Sequence, residues 1–376
     1  MLFSEIIGQS NIKQRLLQMA DDGRVAHASL FCGGAGRGKL ALALAYAQRL
    51  CCDHPTPTDA CGTCPSCIKF QKLAHPDLHL VFPIVKLDDK TPYCADFMQQ
   101  FTEAVRMNPY LSLDQWQEQI SDGKQAVIYD VEGDEIIRQL SFKSFEASYK
   151  IMLIWCPECM GKTCANHLLK IIEEPPDSTV FLLVSDNPER LLDTIVSRTQ
   201  RITVPPIDEA DLCAALLARR SDLTQAEAAS FARNAAGSWG ALLTALEQSE
   251  SRASYFENFK LLMRHAYKPQ RNIVEVRNWV NDMSTLKRPE MLAFMQMAQH
   301  EVRENFAMHL NEPTLLYMNA DEQAFAANFS RFITADNVED IMNELTLAEL
   351  HVAQNGNSKF ILFDLILKLF KLLNKN

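Results

Sequence analysis

The sequence predicts an α/β protein whose first part is a parallel sheet flanked by helices and whose last part is all helical. The first observation is a short apolar run, residues 28–32, which leads through a glycine-rich loop into the helical pattern of residues 40–50. The second is a pair of further apolar strands, 151–154 and 180–184, with helical sequence between them. Strands that alternate with helices favour a parallel sheet. The third is helical periodicity alone from residue 249 to residue 376, which predicts a bundle.

The glycine-rich loop at residues 33–40 is close to a phosphate-binding P-loop. It reads GGAGRGKL, whereas a working P-loop reads GxxxxGK followed by Ser or Thr. The glycines let backbone N–H groups surround phosphate oxygens, the lysine reaches the terminal phosphates, and the hydroxyl group binds Mg²⁺. The candidate nucleotide-binding residues are Gly33, Gly36, Gly38 and Lys39. Leu40 replaces the hydroxyl residue, so the loop keeps groups that cradle an anion but has lost a metal ligand. The alternative is a strand-to-helix turn that binds no ligand.

Four of the eleven cysteines form a metal-ligand pattern, namely Cys52, Cys61, Cys64 and Cys67. Two interleaved CxxC steps and a fourth cysteine upstream supply the four thiolates of a closed tetrahedral site, which structural zinc requires. We therefore predict one structural Zn²⁺ in a module at about residues 51–68, with unpaired buried thiols as the alternative. Cys51 is adjacent to Cys52, and the spacing alone leaves open which of the two is the ligand.

Composition narrows the class of protein. At 376 residues the chain predicts two or three domains. Its net charge of −10 argues against a protein that coats nucleic acid by bulk electrostatics, so any DNA contact must come from a local basic patch or a basic partner. We expect a cytoplasmic protein, because the cysteine-rich chain shows neither a secretory signal nor a charge-free span long enough for a bilayer. The apolar final helix, predicted at 359–373, is interrupted by Asp364, Lys368 and Lys371.

Several motifs together resemble the clamp-loader branch of the AAA+ proteins, which contains the bacterial replicative polymerase III tau/gamma and delta-prime subunits. Besides the P-loop and the four-cysteine module, they are FSEIIGQ at 3–9, RVAH at 24–27, HPDL at 75–78, LLKIIEEPP at 168–176 and SRT at 197–199. The family motif at the last position is Ser-Arg-Cys, and Thr199 replaces its cysteine. The resemblance covers residues 1 to about 245 well and the remainder only in its helical character and its tail.

The resemblance implies three domains. An AAA+ P-loop domain is expected over residues 1–205, with the zinc module and an insertion at about 86–123. A small helical lid domain is expected at 206–248. An all-α collar domain, which in this family holds the subunits of the loader together, is expected at 249–376.

The insertion is polar, dotted with aromatic residues and longer than a typical connection. Helical patterns predict two helices in it, at 97–107 and 113–120. After Pro205 and Pro206, three short helical patterns are predicted between residue 208 and about residue 248.

The groups that hydrolyse ATP in this family are missing at the matching positions. The Mg²⁺-binding strand of the family ends in Asp-Glu, but here it runs into Trp155 and Cys156. Glu158 is predicted to lie beyond the strand end and is not assigned as the base. Gly240 stands where the family motif Gly-Ser-x-Arg places a phosphate-contacting arginine. The resemblance therefore implies a delta-prime-like subunit that does not hydrolyse ATP, and it leaves binding of ATP or ADP open.

Arg198 is the one catalytic residue that the resemblance assigns to this chain. In the family the Ser-Arg-Cys arginine projects into the nucleotide site of a neighbouring subunit as an arginine finger; the alternative is an ordinary surface arginine. The implied partners are the tau/gamma ATPases and the clamp-opening delta subunit, with the sliding clamp and primer-template DNA reached through the complex and no membrane. The implied location is the cytoplasm, at the nucleoid through the replisome.

Two alternatives remain for the function. The first is an active tau/gamma-type ATPase motor of the same family, which turnover of ATP by the isolated chain would reveal. The second is a thiol–disulfide protein, because residues 155–159 read WCPEC and resemble a thioredoxin-type WCxxC motif after a strand. An acidic, rapidly alkylated Cys156 would support it.

Overall fold

A computed structural model describes residues 1–86, 92–121, 124–267, 273–310, 318 and 320–374. The chain forms two compact units, Met1–Leu246 and Glu247–Asn376. Parts of the predicted insertion and collar lie outside the described residues, namely 87–91, 122–123, 268–272, 311–317, 319 and 375–376. Among the residues described, no helix combines the length and the apolar character needed to cross a membrane. All eleven cysteines are free thiols.

The first unit is built on a five-stranded parallel sheet, which confirms the predicted fold class. The strands are β1 (Ala28–Cys32), β2 (Leu78–Val81), β3 (Lys150–Trp155), β4 (Thr179–Ser185) and β5 (Gln200–Thr203). Their order is β2-β3-β4-β1-β5, and every neighbouring pair is parallel. The three central strands are buried along their whole length, as their continuous apolar sequences require.

Among the described residues of the first unit, ten α-helices precede, separate and follow the strands along the chain, before the long helix α11. They are α1 (Ser10–Asp21), α2 (Lys39–Leu50), α3 (Pro65–Gln71), α4 (Met98–Met107), α5 (Leu113–Ile120), α6 (Val131–Ser141), α7 (Lys162–Glu173), α8 (Asp193–Val196), α9 (Glu209–Arg219) and α10 (Gln225–Asn234). The two helices predicted in the insertion are confirmed as α4 and α5. The prediction that the third helix in this region is short is wrong. This helix is the first part of α11 (Trp239–Tyr267), which continues because no proline or glycine interrupts residues 241–267.

Helix α2 is the central helix of the first unit. Every one of its residues except Arg49 is buried. Its sequence, KLALALAYAQRL, is apolar on all sides, which is the pattern of a helix enclosed by protein rather than one lying on a surface. The loop that precedes α2 is therefore attached to a helix that is buried on nearly every side.

The predicted insertion packs into the core of the first unit. Trp116 in α5 is fully buried and donates its indole N–H to the carbonyl oxygen of Pro83 at 2.7 Å. Its ring meets Phe82 and Phe101 edge to face, and Phe101 also contacts Trp155 at the end of β3. Aromatic pairs of this kind stabilise a core beyond the area that they bury. The insertion is thus an integral layer beside the sheet.

The second unit is helical throughout its described residues. After the remainder of α11 come α12 (Ile273–Met283), α13 (Arg288–His309), α14 (Ala320–Phe329), α15 (Val338–Ala353) and α16 (Ser358–Leu373). Helix α16 confirms the predicted final helix and buries Leu362, Leu365, Ile366, Leu369 and Leu373. The stripe formed by these residues faces a core that also contains Phe294 and Leu345. The boundaries drawn for the lid and collar domains stay predictions.

A buried carboxylate anchors the chain before β3. Asp77 is 2% exposed and accepts backbone N–H groups from Phe145 at 2.5 Å and from Glu146 and Ala147 at 2.9 Å. Burial disfavours the charged form, but these three donors outweigh it and lower the pKa of Asp77. The carboxylate therefore fixes the turn that leads from α6 into β3.

The first prediction concerns this anchor. Asp77→Asn removes the charge and replaces one acceptor oxygen by a donor, so the first unit should lose about 2–3 kcal/mol of unfolding free energy at pH 7. The pKa of Asp77 is lower in the folded state, so its contribution is complete above the ordinary aspartate pKa of about 4 and is lost as the pH falls further. The difference between the two proteins should shrink below about pH 4.

Urea denaturation followed by tryptophan fluorescence measures both effects. Asp177→Asn is the matched control, because Asp177 is exposed. Equal unfolding free energies for wild type and Asp77→Asn at pH 7 would contradict the proposed anchor.

Candidate functional site

The glycine-rich loop lies where the sequence predicts it, between the carboxyl end of β1 and the start of α2. Gly38 caps α2 with a φ of +86°, a conformation that side chains disfavour. A Cβ atom added at Gly33 would lie 2.4 Å from the carbonyl oxygen of Val204, so only glycine allows the backbones to approach there. Both glycines are therefore required by the shape of the loop itself.

Lys39 forms a buried ion pair within the chain. Its Nζ lies 2.5 Å from Oδ1 of Asp186 and donates to the carbonyl oxygen of Gly34 at 2.6 Å, and its side chain is 4% exposed. Asp186 directly follows β4, and Ser185 pairs with Cys32 at the end of β1. Sequence reasoning missed Asp186. The available signal was a carboxylate at the carboxyl end of a parallel strand, the edge at which sheets of this kind bind ligands.

The positions expected for ATP hydrolysis hold buried residues of other kinds. Leu40 and Trp155 belong to the apolar core, and Cys156 is buried directly after β3 with a φ of +52°. Glu158 lies in the short 3₁₀ turn Pro157–Cys159, beyond the strand end as predicted. Its Oε1 accepts the backbone N–H of Asp186 at 3.0 Å and that of Asn187 at 3.2 Å. This carboxylate therefore orients the backbone that carries Asp186.

The segment around Gly240 lies directly on the glycine-rich loop. The hydroxyl group of Ser238 donates to the carbonyl oxygen of Ala35 at 2.9 Å. The backbone N–H group of Trp239 donates to the carbonyl oxygen of Gly36 at 2.9 Å. A Cβ atom on Gly240 would lie 3.4 Å from the Cα of Gly36. The start of α11 and the residue before it thus contact the loop through one side-chain and one backbone hydrogen bond.

The two thiols of the WCxxC sequence lack the environment of a redox site. Burial raises the pKa of Cys156 well above its ordinary value, and burial with the nearby Glu158 raises the pKa of Cys159 to about 11. Thiol–disulfide exchange requires a thiolate, which a lowered pKa provides. The thiol–disulfide alternative is therefore disfavoured.

Arg198 contacts the EEPP motif in the folded chain. It follows α8, and its Nη2 lies 2.8 Å from Oε1 of Glu173 at the end of α7. Its Nη1 also donates to the carbonyl oxygen of Thr194 at 3.0 Å, and the side chain is 39% exposed. An exposed ion pair of this kind contributes only about 0–1 kcal/mol. The guanidinium group can therefore exchange Glu173 for another anion at little cost.

Four cysteines converge where the segment after α2 meets the first turn of α3, and they are the four that the sequence indicated. The sulfur atoms of Cys52, Cys61, Cys64 and Cys67 all lie within 4.8 Å of one another. Cys61 and Cys67 place their sulfur atoms 3.9 Å apart, close to the separation of about 3.8 Å that tetrahedral zinc at about 2.3 Å from each sulfur implies. The cluster could hold a metal ion, and its donor set suits zinc.

Backbone N–H groups point at the sulfur atoms of this cluster. Cys61 donates to Cys52 at 3.3 Å, Cys64 to Cys61 at 3.3 Å, and Cys67 to Cys64 at 3.4 Å. Hydrogen bonds from Thr63 and Cys64 lower the pKa of Cys61 to about 6. Such donors stabilise thiolates, the form that binds metal, whereas burial raises the pKa of Cys52 and Cys67.

Cys51 lies outside the four-cysteine cluster. Its thiol is buried and directed at the carbonyl oxygen of Tyr149, 3.5 Å away. Burial raises the pKa of this thiol. The geometry places Cys52 rather than Cys51 among the candidate ligands, which spacing alone left open.

Comparison with known proteins assigns these features to one family. A family model described as DNA polymerase III, delta subunit, matches residues 8–208. DNA polymerase III subunit delta' of Bacillus subtilis is 29% identical over 199 residues, 53% of this chain and 48% of that protein. The subunit delta' of Pseudomonas aeruginosa is 31% identical over 188 residues, 50% of this chain and 46% of that protein. DNA polymerase III subunit tau/gamma of Haemophilus influenzae is 25% identical over 210 residues, 56% of this chain and 25% of that protein. The similarity thus spans less than two thirds of each of these relatives.

Proposed function

This chain belongs to the DNA polymerase III delta subunit family, and from that premise we propose that it is a delta-prime-like, non-hydrolysing subunit of a clamp loader. The observation that carries the proposal is the loss of catalytic groups in an otherwise intact P-loop fold. Leu40 and Trp155 are buried at the two positions where an ATPase of this family needs metal-binding groups, and Cys156 is buried where it needs the glutamate that orients water. The nearby carboxylates of Asp186 and Glu158 are already bound to Lys39 and to backbone N–H groups.

The remaining chemistry of the chain is assigned to Arg198. It is proposed to act as an arginine finger on ATP bound by a neighbouring tau/gamma ATPase subunit, where it would stabilise charge on the transferring phosphoryl group. Its exposed guanidinium and its weak pairing with Glu173 support this role, because the arginine can change partner without unfolding α7 or α8.

The proposed partners are the tau/gamma ATPases and the clamp-opening delta subunit. The sliding clamp and primer-template DNA would be reached through the complex. The net charge of −10 supports this indirect route to DNA, since a protein that binds DNA alone depends on positive charge. The helical second unit is proposed as the collar through which the subunits assemble.

The four-cysteine cluster is proposed to hold one structural Zn²⁺. Four thiolates close a tetrahedral site and leave no open position, so the metal would organise residues 51–68 and take no part in catalysis. The small apolar cluster there, Ala60 with Leu2 and the cysteines, is too limited to order this segment by burial alone.

The second prediction concerns this zinc. Protein prepared under reducing conditions without chelators should contain about one zinc per chain by elemental analysis. Cys64→Ala and Cys52→Ala should each release the metal and loosen the module locally. The control variants Cys51→Ala and Cys94→Ala should keep it, because neither thiol belongs to the cluster. A chain without zinc, or one that retains it after Cys52→Ala and loses it after Cys51→Ala, would refute the ligand set.

The third prediction separates this proposal from the active motor. The isolated chain should not hydrolyse ATP above background, since no residue at the expected positions binds Mg²⁺ or orients water. Leu40→Thr alone should not restore hydrolysis, because the strand-end carboxylates would still be missing. Phosphate-release assays on purified protein measure this. Turnover by wild type that disappears in Lys39→Ala would favour the tau/gamma-type motor instead.

The fourth prediction concerns Arg198. In a reconstituted loader, Arg198→Ala should leave assembly intact and slow hydrolysis at one interface by about 10³–10⁵-fold. Total ATPase activity should therefore fall only in part unless the sites are coupled. Arg198→Lys should rescue poorly, because an ammonium group lacks the planar, bidentate contact of guanidinium.

The reconstitution has a matched control. Arg24 is 83% exposed, and Arg24→Ala should change neither hydrolysis nor clamp loading. DNA- and clamp-stimulated hydrolysis is compared among the three variants and wild type after size-exclusion chromatography has verified the complex. Unchanged hydrolysis and loading in an assembled Arg198→Ala complex would reduce Arg198 to a surface residue.

A further inference from the structure

We propose that the outer edge of β2 and the acidic cavity beside it form a docking site for an extended, basic segment of a partner protein. The segment adds to the sheet as a short sixth strand and places one arginine or lysine in the cavity. The inference is independent of the proposed function, because β2 lies at one edge of the sheet whereas Arg198 precedes β5 at the other.

The backbone of β2 has one side that faces away from the sheet. On the inner side, the N–H of Ile151 donates to the carbonyl oxygen of Asp77 at 2.8 Å, and Ile151 pairs in register with Leu78. Backbone groups alternate in direction along a strand, so those of residues 77, 79 and 81 face β3. The backbone groups of Leu78 and Leu80 therefore point outward.

The chain covers this outer edge just beyond the end of β2. Residues 82 and 84 continue the outward series. Sγ of Cys94 donates to the carbonyl oxygen of Phe82 at 3.1 Å, and Ile84 exchanges two backbone hydrogen bonds of 2.9 Å with Val127. The fold thus pairs the outward groups of this segment at 82 and 84.

The part of the edge within β2 is open. The N–H of Leu78 is used, since it donates to the carbonyl oxygen of His75 at 3.0 Å. Among the described residues, no hydrogen-bond partner lies on the carbonyl oxygen of Leu78 or on the N–H and carbonyl oxygen of Leu80. Unpaired backbone groups at a sheet edge are a template for another strand, which is how many domains bind extended peptides.

A cavity of about 280 Å³ lies along this open part of the edge. Three consecutive residues of β2, 78–80, line it together with residues of the insertion and of α6. Successive side chains of a strand point to opposite faces, so a cavity that touches all three lies beside the strand, where an added strand would run. The volume is just below the range of about 300–1,000 Å³ that is usual for small-molecule sites. It suits one large side chain of an added strand.

Carboxylates line the cavity. Glu132, Glu135 and Gln139 lie at i, i+3 and i+7 of α6 and so form one stripe, and Asp96 comes from the insertion. Glu132 is 2% exposed, and its Oε1 accepts the backbone N–H of Cys94. Burial raises the pKa of Glu132, and the charges of Glu135 and Asp96 raise it further. A buried carboxylate beside like charges is stabilised by a bound cation.

The chain itself supplies little positive charge to this lining. Among the described residues, the one ion pair of the lining joins Glu135 to Arg138, whose side chain is 64% exposed. Exposed pairs of this kind are weak and exchange readily. Burial lowers the pKa of His79, so its ring is neutral at pH 7. The charge of the cavity is therefore complementary to a basic side chain.

An arginine or lysine fits these observations better than a metal ion. Within the part of the chain that the structure describes, ligand atoms lie close enough to hold a metal only in the four-cysteine cluster. A long side chain can instead reach carboxylates that are spread along the cavity, and it arrives attached to a backbone that the strand edge can bind.

Selection from a displayed library of random nonapeptides on the full chain tests the docking site. Peptides that bind should share one arginine or lysine, flanked by β-branched residues that favour an extended strand. Glu132→Gln removes the charge but keeps an oxygen for the N–H of Cys94. It should weaken binding of the selected peptides at least about tenfold, as measured by fluorescence polarisation.

The matched control is Glu118→Gln, which changes an exposed carboxylate of the same insertion outside the cavity and should leave the affinity unchanged. Thermal melts verify that each variant is folded. If Glu132→Gln is not, Asp96→Asn takes its place, because asparagine can still accept the N–H of Tyr93 that Asp96 accepts.

Strand addition has a signature of its own. Alternate N–H groups of an extended peptide face β2, so N-methylation of every second residue should abolish binding in one of the two possible registers and spare it in the other. In the complex, amide hydrogen exchange of Leu80 should slow at least about tenfold. Exchange of Val81, which faces β3 with or without peptide, should stay the same.

Four results would overturn the inference. They are a selection without preference for a basic residue, equal affinity of the peptides for wild type and the folded acidic-site variant, equal effects of the two N-methylation registers, and unchanged exchange at Leu80 in the complex. Calorimetric binding of Mg²⁺ that Glu132→Gln abolishes would assign the cavity to a metal ion and overturn it as well.

Discussion

A buried ammonium group sets the main constraint at the carboxyl edge of the sheet. Lys39 is the first residue of α2, a helix that is buried on nearly every side, and its side chain is 4% exposed. A buried charge without an anion costs several kcal/mol, so a carboxylate or a phosphate has to be present. Asp186 meets this need, and Glu158 accepts the backbone N–H group of Asp186. The residues around the ion pair are therefore as buried as those of the core.

Apolar residues surround this ion pair at the edge of the sheet. Functional sites hold charges and cavities that lower stability, whereas well-packed apolar residues raise it. Leu40, Trp155 and Cys156 have joined the apolar core, while Tyr110 packs beside the loop. The insertion that supplies Tyr110 also places Trp116 against Phe82 and Phe101, so one segment contacts both the core and the glycine-rich loop.

Arg198 differs from these residues because it is exposed and only weakly held. Its partner Glu173 ends the helix of the EEPP motif, so two motifs separated in sequence form one surface in the folded chain. The role proposed for Arg198 requires a side chain that is both preorganised and able to leave its resting partner. An exposed guanidinium group paired at the end of a helix is compatible with both conditions.

The sequence by itself determined the parallel sheet, the P-loop position, the four clustered cysteines and the helical last part, because periodicity and local spacing encode them. It did not reveal that the third helical pattern after the prolines continues to Tyr267 as the long helix α11. Nor could it distinguish Cys51 from Cys52, since adjacent residues differ only in the direction that the fold gives their side chains. The ion pair of Lys39 with Asp186 and the contact of Tyr110 with Gly38 were decided only by the tertiary structure. These partners are far apart in sequence, and no local pattern reports which strand ends and loops meet at one edge of a sheet.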